Sequence, residues 1–195
     1  MALMNDLNTV DPEVSKAIDQ LETGGAQRPE NSLSAFRSAA DAGYGIELDV
    51  HRTKDGVLVV HHDDNLKRVC GVDRRIAQST LADVRACHLS GTNEVVPTFD
   101  EVLEAVGGRV PLIVELKVEQ NVDSLCSAVR ERMQRYNGLW CMESFDPRAV
   151  QWFRKNAPEI IRGVRYFDRH KSVDLIIIGR GGGSNLVLHR SAQQL

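Results

Sequence analysis

Hydrophobic and polar residues alternate along this chain with two periods that take turns. Asp11-Pro12-Glu13 opens a helix with a capping acid and a proline in the first turn, and Gly24-Gly25 ends it after about Glu22. A second helical stretch runs from about Asn31 to Asp41 and stops at Gly43. The period then drops to two in Gly45-Ile-Glu-Leu-Asp-Val50, which predicts a strand. Asp55-Gly56 is a hairpin-type turn leading into a strand over Val57–Val60. Asp63 to Thr98 is irregular apart from a short helix near Leu81–Ala86. Thr98-Phe-Asp-Glu101 is a capping box, and the helix it opens ends at Gly107-Gly108. A strand over Pro111–Lys117, a helix over Val122–Arg135, a strand over Leu139–Phe145 and a helix capped by Asp146-Pro147 follow. Ile160–Phe167 and Val173–Ile178 are the last strand candidates.

Strands that alternate with helices of this length pair in parallel through crossovers, so one α/β domain over residues 1–195 is expected. With 26% charged and 5% aromatic residues in 195, the chain reads as globular. Its formal net charge of -3 steers it toward neither nucleic acid nor an anionic membrane. Any phosphate-bearing ligand must therefore be captured by a metal or a few local cations. Cys70, Cys87, Cys126 and Cys141 lack the paired spacing of zinc or redox motifs, which points to a reducing compartment. No basic region followed by an apolar stretch opens the chain, and no apolar run approaches the ~18 residues of a membrane span. A cytoplasmic location is expected.

Strands covered on both faces read as unbroken apolar runs, yet two of these strands carry acids. Side chains two apart on a strand point the same way, so Glu47 and Asp49 share a face, as do Glu115 and Lys117. An ionised carboxylate on a covered face is costly unless paired or bound to metal. Two readings stand side by side here: a hard oxygen site for Mg²⁺ or Ca²⁺, and a structural ion-pair network in which Lys117 neutralises the acids. His61-His62-Asp63-Asp64 follows the Val57 strand directly. The C-terminal ends of strands are where barrel enzymes keep catalytic groups, so His62 is a general acid/base candidate; a plain polar turn is the alternative.

Taken together, these residues resemble the glycerophosphodiester phosphodiesterase family. The resemblance rests on Arg28-Pro-Glu-Asn-Ser-Leu-Ser-Ala-Phe36, Gly45–Val50, Thr53–Arg68, Val96–Leu103, Val114-Glu-Leu-Lys117 and Glu143-Ser-Phe-Asp-Pro147, in that order, within a core from Arg28 to Arg162. It implies a TIM-barrel-like (β/α) fold and a phosphoric diester hydrolase of lipid metabolism. The reaction would be metal-dependent hydrolysis of a small-molecule glycerophosphodiester to glycerol 3-phosphate and an alcohol. By the same resemblance Glu47, Asp49 and Glu115 correspond to ligands of a divalent metal, and His62 to one of two catalytic histidines. Lys117 matches a basic residue near the substrate phosphate, with a catalytic and substrate-binding role. Glu30 matches the acid of the proline-glutamate-asparagine motif on the substrate side. Residues 63–97 would be the insertion that shapes the glycerol end of the pocket.

Two regions depart from that pattern. The family's first strand ends in His-Arg-Gly, whereas here Ile18–Gln27 holds neither histidine nor arginine, and no histidine precedes His51. Arg28 stands too near Pro29 to be the matching arginine, though it offers a replacement charge on the substrate side. Losing one of two groups that act together costs most of a rate, so impaired turnover or an inactive metal- or phosphate-binding barrel is the rival expectation. After Arg162 the chain leaves the pattern, and Arg165–Ser184 resembles a short piece of the exonuclease VII large subunit. One strand and a glycine-rich loop cannot carry that nuclease's activity. The expectation is a barrel incomplete or rebuilt at both ends (1–27 and 163–195), a recombined chimera in which Val173–Ile178 replaces a barrel strand beside Ile160. Exposed strand edges in such a barrel would favour self-association.

Overall fold

The computed structural model describes residues 28–157, together with the backbone of two later strands, Leu175–Ile178 and Val187–Arg190. The helix expected over Asp11–Glu22 and the strand expected over Ile160–Phe167 lie outside the described residues.

Three parallel strands form the centre: β1 (Ile46–Arg52), β3 (Leu112–Leu116) and β4 (Trp140–Glu143). A short antiparallel strand, β2 (Leu58–Val60), folds back along the end of β1, giving the order β2-β1-β3-β4. The β1–β2 hairpin turns at Gly56, whose φ of 90° suits glycine. Each parallel crossover carries a helix: α4 (Phe99–Val106) precedes β3, α5 (Val122–Met133) precedes β4, and α6 (Pro147–Asn156) follows it. A further helix, α1 (Leu33–Asp41), leads into β1. This is the α/β arrangement with parallel crossovers that the alternation of periods implied, and it accords with the TIM-barrel-like fold that the resemblance implied.

Local chemistry sets the helix ends. Ser32, Thr98, Asn121 and Asp146 each accept a backbone N–H of the first turn, which fills otherwise unpaired donors. Thr98 and Glu101 close a reciprocal capping box, and Gly107 ends α4 in the left-handed region at φ 60°.

The period of two then divides the sheet's faces. Ile46, Leu48 and Val50 on β1, with Leu112, Val114 and Leu116 on β3, pack into the main core with Phe36, Phe99, Val129 and Phe153. Glu47, Asp49 and His51 point to the other face, as does Glu115. The stretch read from sequence as irregular, 63–98, is better ordered than its pattern suggests. Within it lie α2 (Lys67–Cys70), α3 (Leu81–Arg85) and two single 3₁₀ turns. Leu66, Val69, Ile76, Val84, Leu89 and Val96 give this insertion a small core of its own.

The parallel partner expected for Val173–Ile178, near Ile160, lies outside the described residues. Among the described residues β5 (Leu175–Ile178) pairs antiparallel with β6 (Val187–Arg190). Only residues 179–186 connect the two, enough for a hairpin and too few for a parallel crossover.

Candidate active site and metal centre

Register places the acids. Across β1, β3 and β4, Asp49 lies beside Glu115 and Glu115 beside Glu143, which makes one row of carboxylates over three strands. Glu47 sits one step earlier on β1, opposite Ile113. Ligand atoms of Glu47, Asp49 and Glu115 all lie within 4.8 Å of one another. Asp49 and Glu115 are buried, while Glu47 is exposed.

Two arrangements hold Asp49 and Glu115. Asn31, at a left-handed φ of 54°, donates its side-chain N–H to Asp49 Oδ2 at 3.1 Å. Lys117 reaches both acids, its Nζ 2.9 Å from Asp49 Oδ1 and 2.7 Å from Glu115 Oε1, and lies 5.8 Å from the Phe145 ring centre. Lys117 thus pairs with two acids of the trio, while all three remain convergent. Asp49 Oδ1 and Glu115 Oε1 are buried and accept no aligned hydrogen bond. Those lone pairs suit a hard cation, so this donor set fits Mg²⁺ or Ca²⁺.

The electrostatics match that crowding of acids. Withdrawal from water raises the Glu47 carboxyl to about pKa 7, with repulsion from Asp49, Glu115 and Glu143 adding to the rise and Lys117 opposing it. Withdrawal from water also lifts Glu143, with repulsion from Glu115 second. The two signs of burial differ at Glu47: its surface is open, yet desolvation leads the causes of its shift. Three neighbouring carboxylates push the same way, and solvent at the open edge screens part of their repulsion.

The double histidine divides its roles. His61 turns inward: its Nδ1–H donates to the Asp63 carbonyl at 2.9 Å, its Nε2 is buried without a hydrogen-bond partner, and burial lowers its pKa. His62 turns outward, with 58% of its side chain exposed, and bonds Asp63 Oδ1 through Nδ1 at 2.8 Å. Arg68 donates to the same Asp63 at 2.7 Å, and its bond is the main reason this carboxyl is held down at about pKa 2. An ionised Asp63 can only accept, so His62 carries its proton on Nδ1 and keeps Nε2 free for proton exchange.

The remaining sequence candidates fall differently. Glu30 forms an ion pair with Arg68, which joins it to the Asp63–His62 chain. Arg28 donates to Ser38 Oγ at 2.6 Å, on the surface of α1. A cleft of about 830 Å³ is lined by His51, His62, Glu115, Lys117, Phe145 and Arg148, among others, a size suited to a small ligand. Glu115 and Lys117 belong to both cleft and carboxylate cluster, so the two adjoin. The cleft lining includes neither Arg28 nor Glu30.

Sequence reasoning passed over Asn31, His51, Glu119 and Glu143. Asn31 and Glu143 stand inside quoted motifs, and Glu143 alternates with Cys141 on its strand, which was a usable signal. His51 and Glu119 carried none beyond their place at strand ends.

Acids gathered on one face of neighbouring parallel strands, beside a cleft that presents an imidazole and an ammonium, define a barrel-type α/β domain with a carboxylate cluster of the kind that suits a hard cation. The sequence profile of the glycerophosphoryl diester phosphodiesterase family matches residues 23–172, and the chain belongs to that family. This match extends beyond the Arg28–Arg162 motifs at both ends and stops before the glycine-rich stretch. The chain is 35% identical over 127 residues to human lysophospholipase D GDPD1, covering 58% of this chain and 40% of that protein. It is 28% identical over 152 residues to a glycerophosphodiester phosphodiesterase of Caldanaerobacter subterraneus, covering 71% and 61%. Among solved structures, an Oleispira antarctica phosphodiesterase in complex with the product sn-glycerol-3-phosphate superposes with a TM-score of 0.64 at 27% identity, covering 70% of this chain and 60% of that one. The chain therefore spans about 40–60% of the length of these relatives.

Proposed function

We propose that this chain hydrolyses glycerophosphodiesters to glycerol 3-phosphate and an alcohol, with Glu47, Asp49 and Glu115 holding Mg²⁺ or Ca²⁺. The observation that carries this reading is the convergence of those three carboxylates within 4.8 Å, with Glu115 reaching a cleft that His62 and Lys117 also line. A divalent cation in that position would polarise a phosphoryl oxygen. The chain's own groups supply the rest. Lys117 offers an ammonium to a phosphate oxygen, and Asp63 holds the Nδ1–H of His62 so that Nε2 takes a proton from the water that attacks phosphorus and returns it to the alkoxide released as the P–O ester bond breaks. The family membership and the product named for the Oleispira relative support the substrate class. The four cysteines, all unpaired, favour a reducing, cytoplasmic setting; among the described residues no helix is long and apolar enough to cross a membrane.

A second reading rests on a specific observation: no histidine precedes His51, so His62 lacks the expected partner. On that reading the barrel binds metal and phosphate without turnover. Hydrolysis of glycerophosphocholine with Mg²⁺ or Ca²⁺, compared with Glu47→Ala and His62→Ala, separates the two. Turnover lost in both variants supports the enzyme. Turnover that survives either substitution overturns the assignment of roles. No turnover, together with a rise in melting temperature on adding the ion, supports the binding barrel.

A further inference from the structure

His51 stands on the same face of β1 as Glu47 and Asp49, at the strand's C-terminal end, and lines the cleft. Its side chain is 2% exposed, and both ring nitrogens are engaged. Nδ1 lies 3.1 Å from Glu119 Oε1, in the loop that leaves β3 just after Lys117. Nε2 lies 3.4 Å from the backbone carbonyl of His62, in the loop that leaves β2. A carbonyl only accepts, so the Nε2 contact is a donation from the ring, and the Nδ1 contact ties the same ring to the Glu119 carboxylate. The two loops are otherwise connected through β1, by His61 N–H to the Asp49 carbonyl and Lys117 N–H to the Val50 carbonyl, at 3.0 Å each. Those bonds join the bases of the two loops to β1. The imidazole of His51 is the side chain that reaches across to both tips.

We infer that His51 is a positioning residue: it braces the His62 loop against the Lys117–Glu119 loop, fixing the distance between the acid/base imidazole and the carboxylate centre. This rests on the roles given to His62 and Lys117 under the proposed function. Displacing a reacting group by about 1 Å costs on the order of 100-fold in rate, so a buried brace between two such groups belongs in the kinetics.

The test uses the full chain and three substitutions. His51→Phe keeps ring volume and removes both polar contacts, His51→Gln keeps a donor for the His62 carbonyl, and Glu119→Gln weakens the brace from its more accessible end. For glycerophosphocholine with Mg²⁺, His51→Phe is expected to lower kcat by roughly 10–100-fold with KM changed less than about two-fold. His51→Gln should recover several-fold of that loss. The divalent-ion shift in melting temperature should stay as in the parent chain. Amide hydrogen exchange reads the brace without turnover: the His61 and Lys117 amides, bonded to the Asp49 and Val50 carbonyls at the loop bases, should exchange about ten-fold faster in His51→Phe, or in Glu119→Gln if His51→Phe does not fold. Unchanged exchange at these amides overturns the inference, whatever the kinetics. So does a His51→Phe chain with parental kcat, or one in which kcat, KM and the metal shift all collapse together. If the parent chain turns over nothing, the proposed function falls and the exchange result alone decides the brace.

Discussion

Lys117→Met is the substitution from which the structure yields the sharpest expectation. Lys117 Nζ is the cation within 3 Å of both Asp49 and Glu115, whose side chains are 3% and 8% exposed. Methionine retains most of the stem volume, so the change removes charge and leaves packing nearly intact. Stripping one partner from a buried ionic cluster costs about 3–5 kcal/mol, because the stranded carboxylates stay desolvated. Lys117 keeps 19% exposure, and water can reach part of the site, so the lower figure of about 3 kcal/mol applies. For a chain of this size each kcal/mol moves the melting temperature by about 2–4 °C, giving an expected fall of about 6–12 °C in EDTA. A divalent ion at 100 times its dissociation constant contributes about 2.7 kcal/mol, nearly offsetting the loss. It should also lift the variant more than the parent chain, in which the ammonium competes for the same oxygens. Differential scanning calorimetry in EDTA and in Mg²⁺ or Ca²⁺ measures both. A variant that melts within about 2 °C of the parent in EDTA, or that responds less to the ion, refutes the shared use of these oxygens.

Three further outcomes follow from the same geometry. Glu47 has a folded pKa of about 7 against an ordinary value of 4.5, so the folded chain holds the extra proton and the metal-free protein should lose stability as pH rises from about 4.5 to 7; Glu47→Gln should flatten that melting-temperature profile, and an unaltered slope would contradict it. Asp63→Ala removes the acceptor that fixes the His62 tautomer and the anchor of Arg68, so kcat on glycerophosphocholine should fall by about ten-fold or more with the metal response retained; a parental kcat counts against the assigned tautomer. Phe153→Ala empties a fully buried site between α6 and the sheet and should cost about 3–5 kcal/mol in urea denaturation, a loss below about 1 kcal/mol arguing against that packing.

Much of the fold was written in local pattern. The capping residues Thr98 and Asp146, the glycine after Val106 and the two-residue alternation of Ile46–Val50 each act within a few positions, so their elements fall where the sequence put them. Acids on strand faces expected to be covered likewise announced Glu47, Asp49 and Glu115, because a covered acid demands a partner; Asp49 and Glu115 are buried and Glu47 is open. What escaped is what depends on register between distant segments. Glu30 finds Arg68 across 38 positions, and His51 finds Glu119 across 68. Neither pairing has a periodic signature. Glu143 joined the carboxylate row only once β4 had a partner and a register. The insertion was under-read for a similar reason: Leu66, Ile76, Val84 and Val96 are spaced irregularly, and only the folded loop collects them. For β5 the apolar run was recognisable, but its direction was decided by a neighbour eight residues further on.

Glu94, inside the insertion, grips the start of α1: its carboxylate accepts the backbone N–H of Ser34 at 3.1 Å and the Ser34 hydroxyl as well. Ser34 is three residues from Asn31, the side chain that steadies Asp49. Exchanging residues 63–97 for a relative's loop would therefore also release the helix next to Asn31, the partner of the proposed cation ligand Asp49. A transplanted loop has to bring an acid to the position of Glu94, or the swap will alter ion affinity along with selectivity.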